Sequence, residues 1–174
     1  MRKKPKIIKV LIEAGANIYA TDRVFFGKTA KDYADDKTRH VIDVIEHLRG
    51  NINVSLLDAI LYKYKPDIMS VLIECEEDKE QLTGALRFAA QVTIYPDVIT
   101  LLVNAGADVN AKSKNGKTAL MYAAEKNDNP AVVQALITAG ADTGIKDSLF
   151  FGKTAKDYAK HNPNPAVLKV FEGL

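Results

Sequence analysis

The sequence predicts an all-α repeat solenoid, and three internal regularities carry that prediction. The ten residues FFGKTAKDYA occur at Phe25 to Ala34 and again, identically, at Phe150 to Ala159. The same offset carries Pro5 onto Pro130, Leu11 onto Leu136, Ala14-Gly15-Ala16 onto Ala139-Gly140-Ala141 and Asp22 onto Asp147. Shorter marks recur between these copies: G-K-T-A begins at Gly27, Gly116 and Gly152, and A-G-A centres on Gly15, Gly106 and Gly140. Self-similarity at steps of about 20 to 50 residues is the signature of stacked supersecondary units.

Prolines locate the longer helix of each unit. Pro5, Pro66, Pro96, Pro130 and Pro165 each precede an apolar run, and Arg39 fills the slot where proline is missing. Proline suits the first turn of a helix, where its absent N–H would have no intrahelical partner. In the run from Pro130, the residues Val132, Val133, Leu136 and Ile137 form one apolar stripe, and Val98, Ile99, Leu102 and Val103 repeat it. Seven residues before three of the starts stands an alanine, at Ala59, Ala89 and Ala123, closing a second, shorter helix such as Thr118 to Ala124. Both helices are expected to run about 9 to 10 residues, too short to persist alone in water, so stacking must hold them. Gly15, Gly106 and Gly140 then end the proline-led helices in the left-handed conformation that glycine adopts at least cost. After them come extended polar stretches and turns such as Lys114-Asn115-Gly116.

This combination, with T-A-L-M-Y-A at Thr118 to Ala123 and A-G-A-D-V-N-A-K at Ala105 to Lys112, closely resembles the ankyrin repeat. The resemblance is strongest over Asp97 to Leu174 and Pro5 to Leu48 and weak between Arg49 and Gln81. It implies an ankyrin stack of paired short antiparallel helices with finger-like loops, and a concave face built from the fingers and the first helices. The implied division is one domain over 1–174: a half unit at 1–21, units at 22–51, 52–80, 81–112 and 113–146, and a capping unit at 147–174. The implied role is a non-enzymatic scaffold that binds a protein partner, with no catalytic residues, cofactor or metal.

Two departures refine that expectation. From the A-G-A glycine to the G-K-T glycine the outer fingers are two residues longer than the middle one, and they end in Val24-Phe25-Phe26 and Leu149-Phe150-Phe151. In the middle of the chain Gly50 to Val54 leaves a short finger, and Glu74 to Asp78 stands where a finger should be. The binding surface is therefore expected on the last two or three units, with a second Phe-Phe feature near the N-terminus. The chain also begins within the second helix of a unit, which leaves Ile7, Ile8, Val10 and Leu11 without a partner helix. That favours either a fragment of a longer protein, with any activity in another domain, or a homodimer closed through the open half unit. Lys156, at a usually apolar position, marks a capping unit, so the chain is expected to end naturally at Leu174.

Candidate partner-binding residues follow from the fingers. Exposed aromatic anchors are common interface hot spots, which singles out Phe25, Phe26, Phe150 and Phe151, with one ring of each pair expected to pack internally. By resemblance, Lys28, Lys117 and Lys153, just after the fingers, and Glu125 and Lys126 line the groove, and Lys114, Asn115, Lys117, Glu125 and Lys126 are expected to supply polar selectivity. Other chemistries are poorly supported. The three G-K-T strings lack the glycine that a phosphate loop carries five residues earlier, where Asp22, Ala111 and Asp147 stand. His40, His47 and His161 and the single Cys75 show no metal-ligand spacing. Cys75 fits a small core residue in a reducing compartment, and Glu76-Glu77-Asp78 a solvated turn. With 24 Lys and Arg against 22 Asp and Glu, a formal net charge of +2 argues against a nucleic-acid or membrane-surface partner. No apolar run is long enough to span a bilayer or to act as a signal, so a cytoplasmic protein is expected.

Overall fold

The computed structural model describes residues 56–74, 76, 78–148 and 152–173. These belong to the compact unit Leu56–Leu174. The half unit, the first Phe-Phe finger, His40, His47 and Cys75 lie outside the described residues.

Eight helices follow one another: α1 (Leu56–Leu61), α2 (Pro66–Glu74), α3 (Lys79–Val92), α4 (Pro96–Asn104), α5 (Ala119–Lys126), α6 (Pro130–Thr138), α7 (Ala155–Ala159) and α8 (Pro165–Glu172). They pair in sequence as α1 with α2, α3 with α4, α5 with α6 and α7 with α8. Odd-numbered helices stack on odd ones and even on even, giving two layers. All four predicted proline starts in this part of the chain open a helix. Asn129 and Asn164, each just before its proline, accept the N–H of Ala131 and Ala166 and cap α6 and α8.

The core lies between the layers. Val98, Ile99, Leu102, Val132, Val133 and Leu136 are buried, while Val103 and Ile137 at the edge of the predicted stripe are only half-buried. The predicted alanines Ala59, Ala89 and Ala123 are fully buried, and their small side chains let the first helices approach the second ones closely. Gly106 and Gly140 take φ of 111° and 94°, and the next residues, Ala107 and Ala141, donate back to the carbonyls of Leu102 and Leu136. This is the glycine-terminated helix end expected from A-G-A.

The first helices do not share one length. They run 6, 14, 8 and 5 residues in α1, α3, α5 and α7, against the expected 9 to 10. Helix α3 is long because the acidic segment before it forms a cap instead of a finger. The Asp78 carboxylate accepts the N–H groups of Glu80 and Gln81, and Glu76 accepts that of Asp78. Negative charge at that end also complements the helix dipole. The boundary expected at residues 80 and 81 consequently falls inside α3. Helices α5 and α7 start later, after full fingers, where Thr118 and Thr154 of the G-K-T strings act as N-caps. Asp157 completes a capping box with Thr154. The G-K-T strings are loop-to-helix junctions.

Units are also stapled through polar contacts that the repeat pattern did not reveal. The buried Asn127 amide donates to the carbonyls of Ala90 (3.1 Å) and Thr93 (3.0 Å) of the preceding unit. Asn162, 35 residues on, does the same to Ala124 and Asn127, at 2.9 Å each. Each asparagine also accepts the N–H two residues on, from Asn129 and Asn164. Each therefore answers groups that neither helix pair could satisfy alone. Truncating Asn127 or Asn162 to alanine should cost about 1–3 kcal/mol, since buried carbonyls lose their donors; urea denaturation measures it. Gly116→Ala should cost more than Gly140→Ala in the same assay. A Cβ at Gly116 would meet the Ser148 backbone N at 2.3 Å, whereas at Gly140 it meets nothing within 4 Å.

Candidate functional site

Two fingers are described, one between α4 and α5 and one between α6 and α7. The first closes at its tip through the Ser113 N–H on the Lys117 carbonyl (2.9 Å), with a turn from Ser113 to Gly116. The second closes through the Asp147 N–H on the Lys153 carbonyl (3.0 Å). Three residues lie between the first closing pair and five between the second, so the two extra residues of the longer finger fall within its closing pair. In sequence Phe150 and Phe151 fall between that pair; they lie outside the described residues, as do Phe25, Phe26 and Lys28.

The fingers are tied to each other and to the units beneath them. The Ser148 N–H donates to the Asn115 carbonyl (3.3 Å), and the Lys112 ammonium to the Lys146 carbonyl (3.1 Å). At the base, the Asn110 amide donates to the Gly140 carbonyl and its oxygen accepts the Asp142 N–H. Thr83 of α3 accepts the N–H of Asp108. Successive fingers thus form one hydrogen-bonded row.

Between the fingers and the first helices lies a half-buried cluster. Lys117 sits 2.9 Å from both carboxylate oxygens of Glu125, and its ammonium lies 4.1 Å from the Tyr158 ring centre and 5.7 Å from that of Tyr122. Its side chain keeps only 12% of its exposure. Tyr122 donates to the Ser113 hydroxyl (3.3 Å). Buried Asp147 accepts the Lys153 N–H on one carboxylate oxygen and the Tyr158 hydroxyl on the other. Tyr158 is held in its neutral form well beyond its ordinary range, first by burial and then by the hydrogen bond to the Asp147 carboxylate. Asp157 is pushed well below the usual carboxylate range by the Lys160 ammonium and the Thr154 backbone N–H.

The expected site residues therefore divide. Lys114, Asn115, Lys126 and Lys153 are exposed, with Lys126 reaching Gln91 of the preceding unit at 3.3 Å. Lys117 and Glu125 are brought together as an ion pair packed on two tyrosines, which ties finger to helix. Lys117 projects back over α5 and α7, which is why it is not a free groove cation. Sequence reasoning passed over Asp147, Tyr122 and Tyr158. The signal was present in the T-A-x-x-Y-A spacing of Thr118 to Ala123 and Thr154 to Ala159, which sets the two tyrosines at equivalent positions of α5 and α7. Among the described residues no three His, Cys, Asp or Glu side chains gather to hold a metal ion, and no helix is long and apolar enough to cross a membrane.

The Tyr158–Asp147 bond makes stability depend on pH at the alkaline end. A tyrosine whose folded pKa is raised contributes stability that is complete below its unfolded pKa of about 10 and is lost as pH rises beyond it. The urea midpoint should fall between pH 9 and pH 11.5, and Tyr158→Phe should flatten part of that fall. The same variant should lose about 1–3 kcal/mol at pH 7, because buried Asp147 loses a donor.

Comparison with known proteins agrees with the architecture. A family model described as ankyrin repeats, three copies, matches residues 56–167. No curated protein matches the chain. Ankyrin repeats generally mediate protein–protein interaction and are typically non-enzymatic. With paired helices in two layers, glycine-ended second helices and fingers leading into threonine-capped first helices, the chain belongs to the ankyrin-repeat family.

Proposed function

We propose that the protein is a non-enzymatic scaffold that binds a segment of a partner protein along its finger and first-helix face, centred on the last two units. One observation carries the reading: the two fingers before α5 and α7 are joined into a row that presents exposed Lys114, Asn115 and Lys153, whereas only four positions separate α2 from α3, whose cap is Asp78. A rigid row of loops over packed helices supplies preorganised contacts at low entropic cost. The Lys117–Glu125 pair, stacked on Tyr158, supports the loops from beneath. Phe150 and Phe151, at the tip of the longer finger, supply the apolar anchor that such interfaces concentrate their affinity in. Lys114, Asn115 and Lys126 supply polar selectivity at the rim.

The test compares the wild-type chain with a Phe150→Asp, Phe151→Asp double variant in a pull-down from lysate of the native host. A partner retained by the wild type and lost by the variant is expected, with unchanged helical circular dichroism. Equal retention by both chains would remove the anchor role, and a loss of helical signal would show that both rings are core.

A further inference from the structure

Charge on the two described finger tips is one-sided. Between 111 and 117 stand Lys112, Lys114 and Lys117 with no acid, and between 145 and 153 stand Lys146 and Lys153 with one acid, Asp147. That acid is buried, with its two oxygens on the Tyr158 hydroxyl and the Lys153 N–H. Lys117 is answered by Glu125. The remaining four lysines are exposed, and among the described residues none of them makes an ion pair. On the last unit Lys160 pairs with Asp157, and Lys156 reaches the Phe171 carbonyl at the end of α8. The nearest other acids, Asp108 and Asp142, stand at the finger bases, each accepting a backbone N–H two residues on.

The hydrogen bonds from Ser148 to Asn115 and from Lys112 to Lys146 hold these like charges on adjoining loops. Like charges on adjoining loops repel one another, and an anionic occupant relieves that repulsion. The whole chain carries only +2, so the excess is local to this face. Lysine presents a compact charge without the forked geometry that arginine offers to phosphate, and arginine is absent from both tips. Asn115, exposed between Lys114 and Gly116, adds an amide able to pair with peptide groups.

We propose that Lys112, Lys114, Lys146 and Lys153 form a cationic clamp for an acidic, Asp- and Glu-rich segment of a partner protein. This rests on the partner-binding reading above and names the chemistry of the partner. The clamp supplies steering and selectivity, whereas the Phe-Phe tip supplies the apolar anchor.

A displayed library of random twelve-residue peptides, panned on the full chain, tests it. Two variants accompany the wild type: Lys114→Glu with Lys146→Glu and Lys153→Glu, and the milder Lys→Gln triple at the same sites. All three lysines are exposed, so both variants should keep the wild-type circular dichroism. Wild-type selections should be enriched in Asp and Glu over the starting library. Their binding should weaken with salt and be about tenfold or more weaker to the Gln triple, and the Glu triple should select basic peptides instead. Peptides without acidic enrichment, held equally by all three chains, would overturn the clamp. If the Phe150→Asp, Phe151→Asp variant still lost those peptides, the partner-binding reading would stand without it. Retention of a single-stranded oligonucleotide at 150 mM salt with the same lysine dependence would overturn the acidic-peptide assignment in favour of nucleic acid. Failure of any chain to retain any peptide would count against both readings.

Discussion

Every helix here depends on a neighbour in an adjoining unit. The described helices run from 5 to 14 residues, and short helices in water do not recover the entropy of their first turn. Stability therefore comes from stacking odd helices on odd and even on even, with Val98, Ile99 and Leu102 of α4 and Val132, Val133 and Leu136 of α6 all buried. Because each pair contacts only its neighbours, the fold is quasi-one-dimensional. An interruption in one unit, such as the missing finger before α3, is then absorbed locally. There the helix simply starts earlier, on Asp78, and the stack continues.

Apolar contact does not by itself fix how one unit sits on the next, since a smooth apolar face tolerates sliding. The asparagines at 127 and 162 supply what the apolar face lacks. Each must satisfy its amide inside the protein, and the carbonyls that do so belong to the preceding unit. A slip by one helical turn would leave several buried polar groups unpaired at once. The fingers carry a second set of such ties through Asn110, Lys112 and Ser148.

Beneath the fingers, charge is treated in two ways. Asp147, Glu125 and Lys117 are drawn in and matched to tyrosine rings, hydroxyls and one another, which fixes the loops on the helices. Lys112, Lys114, Lys146 and Lys153 stay outside. The loop backbone is rigidified by the first set and displayed by the second, an arrangement suited to recognition by a face instead of a cavity.

The sequence by itself determined the repeat architecture, the four proline-led starts and the glycine ends at Gly106 and Gly140. Those features follow from local backbone chemistry: a proline without an N–H, a glycine free to take positive φ, and a periodic apolar stripe. It also located the longer outer fingers by simple counting. Only the tertiary structure decided which lysines stay exposed without an ion pair, because that depends on what each ammonium meets across the units. Lys117 and Lys153 follow the same G-K-T pattern and both ammonium groups face the Tyr158 ring, at 4.1 and 5.8 Å from its centre, yet only Lys117 is drawn in and paired with an acid, Glu125, while Lys153 remains exposed. The length of α3 and the roles of Asn127 and Asn162 were likewise set by carbonyls and caps that a repeat pattern does not encode. The string N-x-N-P does recur at Asn127 to Pro130 and Asn162 to Pro165, but spacing alone does not say which carbonyls 34 to 38 positions away those amides meet.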